Sequence, residues 1–470
     1  SGQATQGGGV FLGAGGSVVN GSAGDHAALI QEGVVIGAAG ALTNAGTILA
    51  ADFVYGAEMF SGTLTNGSLN NSGALIQGNG GVYLLDRTQG SNFGTISGTG
   101  DAGSGVRLDS GASITNGAAG HTSALIEGDV GASVYFNPYY EVVATVTNFG
   151  TIIGTGGTAV ELATSADVLN VGAGSGFVGA VLGAGGTLDL LSGTGTITGL
   201  FAAGGDVTVS GSMAKTTFQN FATVVVSAGA TFTDKGAMRT AAGETVNDAG
   251  TLNLNASGKN INAGLIETTG AGALTIAGPL VNTGTLAADG GTLFVNGAVT
   301  GAGVAVIDGG TLALASSFNE AVAFTGTTGV LDLTQSKAYT ATITGFSKSG
   351  QTGLDLGDIG FVKSTEATFS GNTKSGVLTV TDGTNTAHII LKGNYTTSTF
   401  VSASDGHGGT IVTDSKAKDA AVAPSSLVPP HPFIAAMAGL GASAVAGAIH
   451  IAAIGPSRES IFANPHVMTA

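Results

Sequence analysis

The first residues of this chain that could perform chemistry together are two short pairings of acidic and basic side chains. Asp86 is followed directly by Arg87, and Arg107 lies two positions before Asp109. Enzymes that cleave acidic polysaccharides on repetitive β folds need clustered carboxylates for calcium and a basic residue that accepts a proton. Residues 1–214 contain no other Lys or Arg. We therefore interpret both pairings as isolated surface ion pairs, assign no catalytic residue, and expect that the protein is not an enzyme.

Histidines and glycine-rich segments do not form a recognisable metal or cofactor motif. His26 and His121 lie near matching turns of an internal repeat, and His407 lies in the turn-like run DGHGG at 405–409. No His-x-x-x-His or Glu-x-x-His pair is present, cysteine is absent, and GGD at 204–206 is not repeated in tandem as a calcium motif would be. We predict solvent-facing turn positions for these histidines, with no metal site and no cofactor.

The charge balance excludes one large class of partner. The chain has a formal net charge of −16, with 14 Lys and Arg against 30 Asp and Glu. Binding to a nucleic-acid backbone requires clustered basic residues, so we predict no nucleic-acid partner. The same balance disfavours attachment to an anionic membrane by charge, whereas an acidic surface is typical of exported proteins that stay soluble.

A five-residue phrase recurs along the first two thirds of the chain: Asn, any residue, Gly, any residue, then Ile or Leu. Gly and Asn tolerate a positive φ, so they can turn a corner between strands, and Asn side chains at equivalent turns can form a ladder. A turn and a short apolar strand repeated about every 20 residues are typical of a stacked β-solenoid. The phrase occurs as NAGTI (44–48), NSGAL (71–75), NFGTI (92–96), NFGTI (148–152), NAGLI (262–266) and NTGTL (282–286).

These patterns predict an all-β chain whose main domain, residues 1–315, is a right-handed parallel β-helix. The run SVVNGSAG at 17–24 returns as SITNGAAG at 113–120, which indicates a duplicated unit of several coils within 1–165. Beyond it, GGTL at 185–188, 290–293 and 309–312 opens short β-branched or apolar strands. The right hand is expected from the twist of β-strands.

Residues 316–415 predict a β-rich cap module, because this part has more Phe and Lys and a clear hairpin pattern. VLTVT at 377–381 and AHIIL at 387–391 flank a turn that begins with Asp382-Gly383. We expect either antiparallel strands that close the end of the rod or a small β-sandwich. Such a cap protects the open edge of the last coil from aggregation.

A linker at 416–432, rich in Pro, precedes an apolar tail segment at 433–455 and a C-terminal extension at 456–470. The tail could be helical or extended. Small residues spaced by four are typical of close helix packing in membranes, and the uncharged stretch is long enough to span a bilayer; packing against protein is the alternative. The candidate assembly or anchor residues are Phe433, Ile434, Ala435, Gly439, Leu440, Ser443, Gly447 and Ile451.

The Asn-x-Gly-Thr-Ile and Gly-Gly-Thr-Leu phrases resemble the β-helical passenger regions of Gram-negative autotransporters and haemagglutinin-like surface proteins. The stretch from LDLGDI at 354–359 to DGHGGT at 405–410 is similar to a β module near the C-terminus of such proteins. The resemblance does not include a membrane barrel. It implies an exported protein at the cell surface or outside a Gram-negative bacterium, and we expect a mature form because no signal-peptide pattern is present.

We expect an extracellular structural protein that self-associates as a subunit of a surface fibre, filament or matrix coat. The first alternative is a monomeric surface adhesin that binds glycans, and the second is a polysaccharide-active β-helix enzyme. Membrane contact is expected only through the apolar tail at 433–455.

Overall fold

The computed structural model describes residues 9–414, except 23–25, 51–54, 137, 139–141, 192, 199–206, 211–215, 235 and 256–257. The described residues all belong to one compact unit, Ser1–Lys418. They form 42 β-strands and one 3-10 turn, Ser336–Ala338. The strands stack as a β-solenoid of about 14 coils, which confirms the predicted fold class. The linker, the apolar tail and the C-terminal extension lie outside the described residues.

Coils of the N-terminal half have three faces, and each face is a parallel sheet that runs from coil to coil. The first face contains β3 (Leu29–Gln31), β5 (Thr47–Leu49), β7 (Leu75–Gly78), β10 (Thr95–Gly98) and the first residues of β13 (Leu125–Tyr135), β15 (Thr151–Glu161) and β17 (Gly176–Leu182). The second face contains β1 (Val10–Leu12), the first residues of β4 (Val34–Asn44) and β6 (Tyr55–Asn66), β8 (Gly80–Leu84), β11 (Val106–Asp109), the last residues of β13, β15 and β17, and β21 (Thr216–Gln219).

The third face runs from the first coil to the cap. It contains β2 (Gly16–Asn20), the last residues of β4 and β6, β9 (Gln89–Asn92), β12 (Ser113–Asn116), β14 (Thr145–Asn148), β16 (Val168–Val171), β18 (Thr187–Leu190), β22 (Thr223–Val226), β25 (Thr245–Asp248), the first residues of β28 (Leu265–Ile276) and β30 (Thr285–Val295), β32 (Val304–Ile307), β34 (Ala321–Phe324) and β36 (Thr342–Thr344).

In the C-terminal half the third face is joined by a fourth face and a short sheet. The fourth face contains β19 (Gly193–Thr198), β23 (Ala230–Asp234), β26 (Thr251–Leu254), the last residues of β28 and β30, β33 (Thr311–Leu314), β35 (Gly329–Leu333) and β37 (Thr352–Leu356). The short sheet contains β24 (Arg239–Thr240), β27 (Asn260–Asn262), β29 (Leu280–Asn282) and β31 (Val299–Gly301). Between the halves, β20 (Val207–Ser210) pairs antiparallel with β19 and β21.

Antiparallel strands close the C-terminal end of the described rod. They are β38 (Ala367–Gly371), β39 (Ser375–Thr381), β40 (Thr386–Lys392), β41 (Phe400–Ser404) and β42 (Thr410–Asp414). β40 pairs with β36 on the third face, and β42 pairs antiparallel with β37 on the fourth. The hairpin expected around Asp382-Gly383 is present, with Gly383 at φ 91°. The parallel coils continue to β37, which ends at Leu356, and β40 is also parallel to β36. The first strands with antiparallel partners in the cap therefore come later than the boundary predicted at residue 315.

The core follows from strands whose side chains alternate between the inside and the outside of the coil. On the first face, one inward column is formed by the stacked side chains of Ile48, Ile76, Ile96, Ile126 and Ile152, all of which are fully buried. Complete burial of one such side chain contributes roughly 1.5–3 kcal/mol relative to its exposure. Because each coil repeats this arrangement, the apolar core is continuous along the described rod.

Buried asparagines form a ladder at the corner between the third face of one coil and the first face of the next. In the first five of these asparagines, Nδ2 donates to the Oδ1 of the next asparagine, over distances of 2.8–2.9 Å. Each Nδ2 also donates to a backbone carbonyl in the first-face strand of the following coil. The ladder contains Asn20, Asn44, Asn66, Asn92, Asn116 and Asn148.

The corners of this ladder alternate between two forms, which gives a repeat of two coils. A short corner has the form Asn-x-Gly and follows Asn44, Asn92 and Asn148, whereas a long corner begins with Asn-Gly after Asn20, Asn66 and Asn116. The second residue of each long corner is a glycine at φ 78°. The duplication seen in the sequence at 17–24 and 113–120 therefore coincides with two long corners.

This alternation corrects the interpretation of one phrase. NSGAL at 71–75 matches the repeat, but its asparagine is not in the ladder. Asn71 lies inside a long corner, where its Nδ2 donates to the Ala45 carbonyl and its Oδ1 accepts the Gly73 amide. The ladder position of that coil is Asn66.

The glycine of the short corners is required for a reason other than the predicted positive φ. Neither Gly46 nor Gly94 has a positive φ. A Cβ on Gly94 would lie 2.2 Å from the carbonyl oxygen of Ala74, and one on Gly46 would lie 2.2 Å from that of Ala28. The backbones of adjacent coils therefore approach too closely at this corner for any side chain.

Candidate functional site

A second ladder occupies a different corner, between the short sheet and the third face. Asn262 Nδ2 donates to Asn282 Oδ1 at 2.8 Å, and Asn282 Nδ2 donates to Glu320 Oε2 at 2.6 Å. Glu320 ends the ladder, and its buried Oε1 has no hydrogen-bond partner in the part of the chain that the structure describes. Burial raises the pKa of this carboxyl, against the lowering effect of the bonds from Asn282 and Gly303. The same sequence phrase thus marks two corners of the solenoid, and both ladders place their polar groups between coils.

Four side chains of the second face contact one another in a group that we call the tyrosine–arginine stack: Tyr55, Tyr83, Arg107 and Tyr135. The strand register sets this group, because Arg107 is paired with Tyr83 of the preceding coil. The Arg107 guanidinium lies 5.1 Å from the centre of the Tyr83 ring and 4.5 Å from that of Tyr135. Tyr55 extends the stack, with its ring centre 5.2 Å from that of Tyr83.

Arg107 is held by aromatic rings and has no ion pair with Asp109. A guanidinium between two rings gains a cation–π attraction at each face. Its Nε is buried and has no hydrogen-bond partner among the described residues. Asp109 instead accepts the Tyr83 hydroxyl at 3.1 Å and the Ser110 hydroxyl at 2.8 Å. The ion pair expected between Arg107 and Asp109 is therefore replaced by contacts of both residues with Tyr83.

The surroundings of the stack favour neutral forms of its acidic groups. Burial, followed by the charge of Asp109 and the hydrogen bond to it, raises the pKa of Tyr83 to about 12. Glu58 is paired with Tyr83 in the strand register, and burial raises the pKa of its carboxyl. Tyr83 is therefore a permanent hydrogen-bond donor to Asp109 near neutral pH.

A cavity of about 200 Å³ adjoins the stack where Tyr135 lines its wall. Tyr135 is 52% exposed and its neighbour Phe136 is 48% exposed, so two aromatic side chains border the opening. Asp167, also in the wall, accepts the backbone amides of Ala144, Ala163 and Thr164 at 2.8–3.1 Å. Its carboxylate therefore fixes the shape of the wall and is already hydrogen-bonded. The remaining lining includes Ser110, Thr164 and Ser165.

The junction between the last coil and the cap contains a cluster of buried carboxyls, formed by Asp332, Asp355 and Asp405. Asp332 and Asp355 are stacked in adjacent coils, and each is 9% exposed. Burial, then the charges of Asp332 and Asp405, raises the pKa of Asp355 to about 7. Asp405 accepts the amides of His407 and Gly409. Among the residues that the structure describes, no group of three or more His, Cys, Asp or Glu side chains is arranged to hold a metal ion.

The residues singled out in the sequence are distributed as follows. Asp86 and Arg87 form a turn with positive φ at both positions. His26 and His121 are both exposed and lie in connections between strands. The His26 Nδ1 is 3.3 Å from the Ala45 carbonyl oxygen, and the His121 backbone pairs with Ala118. His407 is in a turn, with its amide on Asp405. All eight tail candidates, Phe433, Ile434, Ala435, Gly439, Leu440, Ser443, Gly447 and Ile451, lie outside the described residues.

A search for helices that could cross a membrane, made over the described residues, finds none long and apolar enough.

Sequence reasoning missed the tyrosine–arginine stack because its members come from separate coils. Tyr83 and Arg107 are each flanked by inward-facing aliphatic residues, in VYL at 82–84 and VRL at 106–108. Aligning the coils on these triplets would have placed the two side chains next to each other. The exposure of Tyr135 and Phe136 at the end of their strand has no comparable signal.

Comparison of the chain with protein-family models, with curated proteins and with solved structures finds no match in any of the three.

Proposed function

We propose that the protein is an extracellular structural protein, a subunit of a self-assembling surface fibre, filament or matrix coat of a Gram-negative bacterium. The observation that supports this most strongly is the way in which the coils use their buried polar side chains. The two asparagine ladders connect coil to coil, and their side-chain amides are used in hydrogen bonds between coils. Such an arrangement favours length and persistence of the rod over a catalytic pocket.

The described geometry also limits how such subunits could associate. The antiparallel cap covers the edge of the last coils on the third and fourth faces. Coil-on-coil stacking through that end would therefore require the cap to be displaced. Lateral contacts between rods, or contacts made by the apolar tail at 433–455, are the routes that we propose for assembly. The composition of the tail, uncharged and rich in Ala, Gly and Ile, supports the second route.

Removal of residues 424–470 tests this proposal. Full-length chain is expected to sediment as large assemblies at high speed, whereas the shortened chain is expected to remain in the supernatant with an unchanged circular dichroism spectrum. A matched variant with Gly439→Leu and Gly447→Leu keeps the tail apolar but bulky, and it is expected to assemble poorly if close packing of small residues is needed. Equal sedimentation of full-length and shortened chains would contradict the tail's role. The two chains are also mixed with lipid vesicles. If the full-length chain binds the vesicles, the shortened chain does not, and both assemble equally, the tail is a membrane anchor.

A second candidate function, a surface adhesin that binds glycans, is favoured by one observation. The tyrosine–arginine stack and Phe136 present aromatic rings and a cation on the outer surface of the second face.

A further inference from the structure

We propose that the third face of the N-terminal half binds the surface of ice. This activity goes beyond the proposed structural role and does not rest on self-assembly. The site is a double column of outward-facing, uncharged side chains in five successive coils, which we call the hydroxyl face. Its first column contains Thr43, Thr65, Ser91, Thr115 and Thr147, and its second column contains Ala41, Thr63, Gln89, Ser113 and Thr145.

The strand register and the buried asparagine ladder together fix the spacing of the hydroxyl face. Each residue of the first column immediately precedes a ladder asparagine, as in TLTN at 63–66 and TVTN at 145–148. The ladder bonds of 2.8–2.9 Å hold these asparagines in register from coil to coil. Adjacent strands lie about 4.8 Å apart, and alternate residues of one strand lie about 6.7 Å apart. The side chains therefore form a regular two-dimensional array.

The first face shows that this regularity is not a general property of the strands. Threonine favours strands wherever they are half-exposed, yet an outward column of the first face has leucine in every second coil. That column contains Thr47, Leu75, Thr95, Leu125 and Thr151. The first column of the hydroxyl face has a hydroxyl group in all five coils, so the array belongs to one face of the solenoid.

The hydroxyl groups of this face are available to a ligand. None of the ten side chains is buried, and none carries a charge, although the chain has a net charge of −16. Within the described part of the chain, the one side-chain hydrogen bond made to a hydroxyl of this face comes from Asn170, whose Nδ2 donates to Thr147 at 3.1 Å. Asn170 belongs to the next coil, at the end of the array. An uncharged surface suits a neutral ligand, because no ion has to lose its water on contact.

The spacing of the hydroxyl face is close to that of frozen water. In ice each oxygen is bonded tetrahedrally to four others at about 2.75 Å, the usual length of an O–H···O bond. This geometry places second-neighbour oxygens about 4.5 Å apart within a layer, and the layers repeat about every 7.3 Å along the hexagonal axis. The corresponding spacings of the protein are about 4.8 Å and 6.7 Å. The mismatch of about 0.3 Å per coil adds up to only about 1.2 Å across five coils.

The two functional parts of a threonine side chain both suit an ice surface. The hydroxyl can donate and accept hydrogen bonds, so it can replace a water molecule of the lattice. The methyl group leaves liquid water when it fits between lattice oxygens, which is favourable. A saccharide would instead require aromatic rings on which its C–H face could pack, and the hydroxyl face contains none. These observations favour ice over a glycan as the ligand.

Thermal hysteresis of the full-length chain, measured on a single ice crystal in a nanolitre osmometer, tests the proposal. We expect the freezing point to fall below the melting point by an amount that grows with protein concentration. Thr65→Tyr combined with Thr115→Tyr should reduce this hysteresis severalfold, because the two rings would hold the face away from the lattice. The matched control combines Thr95→Tyr and Thr151→Tyr, at outward positions of the first face that are equally half-buried, and it should keep the full effect. Tyrosine is well tolerated in strands, so both variants should keep the circular dichroism spectrum of the unchanged chain.

Three results would overturn the proposal. The first is a full-length chain that shows no hysteresis and does not slow the recrystallisation of ice. The second is an equal loss of hysteresis in the two variants. The third is retention of the chain on crystalline cellulose with no effect on ice, which would assign the hydroxyl face to a glycan lattice. Because hysteresis is measured at the ice surface and assembly by sedimentation, failure of this proposal is distinguishable from failure of the proposed structural role.

Discussion

Each ladder asparagine makes several hydrogen bonds between coils, and these bonds replace water at a fully buried position. Asn92 donates to Gly94, Asn116 and Leu125, and it accepts from Asn66. Buried amides of this kind stabilise the fold only when every partner is present, because each orphaned group costs about 1–3 kcal/mol. The requirement explains why the same residue type recurs at this corner.

Asn92→Ala should therefore destabilise the rod by about 3 kcal/mol, since it leaves the Asn66 amide and the Asn116 carbonyl without a ladder partner. The measurement is the thermal unfolding midpoint, with Asn70→Ala as control. Asn70 is exposed in a long corner and outside the ladder. Equal midpoints for the two variants would show that the ladder does not contribute to stability.

The glycines of two neighbouring corners give a second test at single positions. Gly94→Ala should be strongly destabilising, because its Cβ would lie 2.2 Å from the Ala74 carbonyl oxygen and the coils would have to separate. Gly73→Ala should be nearly neutral, because the nearest atom to its Cβ is 3.6 Å away. A comparison of urea unfolding midpoints decides the matter, and similar losses in both variants would refute the close-approach explanation.

Sequence patterns predicted the element type and the stacking well, and the corners less well. Short apolar strands between Gly and Asn can only bury their side chains by stacking, so the solenoid follows from the residues of β5, β10 and β15 alone. The positions of the ladder asparagines do not follow from the phrase, because NSGAL at 71–75 matches the repeat and yet lies in a long corner. The register between coils decides which asparagine joins the ladder. A phrase of five residues carries no information about that register.

The tyrosine–arginine stack and the carboxyl cluster escaped prediction for the same physical reason. Tyr83 and Arg107, or Asp332 and Asp355, become neighbours only through pairing between adjacent coils. The cap boundary was placed at residue 315 because Phe and Lys increase there, although the coils continue in parallel to Leu356. Along the chain, the amino-acid composition therefore changes at a lower residue number than the strand pairing does.

At the junction of the last coil and the cap, Asp355 predicts a dependence of stability on pH. Its pKa rises from the ordinary 3.8 to about 7 in the folded chain, so the folded state holds a proton that the unfolded state releases. The stabilising contribution of that proton is fully present below the unfolded pKa. This contribution to the free energy of unfolding is lost between the unfolded pKa and a pH of about 7. The loss is about 1.4 kcal/mol per pH unit.

Asp355→Asn should therefore raise the thermal midpoint at pH 8 and have little effect at pH 4. Asp382→Asn is the control with the opposite sign, because hydrogen bonds from Asn385 and Thr384 lower the pKa of Asp382. Loss of the Asp382 carboxylate should not increase stability at pH 8. A decrease in midpoint for Asp355→Asn at pH 8 would show that the buried carboxylate has a stabilising partner.

For the molecule as a whole, burial raises the pKa values of acidic groups at several separate places. They include Glu58 on the second face, Asp189 and Asp248 on the third, and Glu320 at the second ladder. These raised pKa values all favour the folded state in mildly acidic solution. The magnitude of the net charge, −16 at pH 7, also becomes smaller there. We expect both the stability of the rod and its tendency to associate to increase as the pH falls toward the isoelectric point near 4.6.

Negative-stain electron microscopy of the full-length chain over a concentration series tests the central proposal, that these rods are subunits of an assembly. The account predicts filaments or sheets built from rods at high concentration, and dispersed single rods after removal of residues 424–470. Dispersed single rods of the full-length chain at every concentration and pH would contradict it.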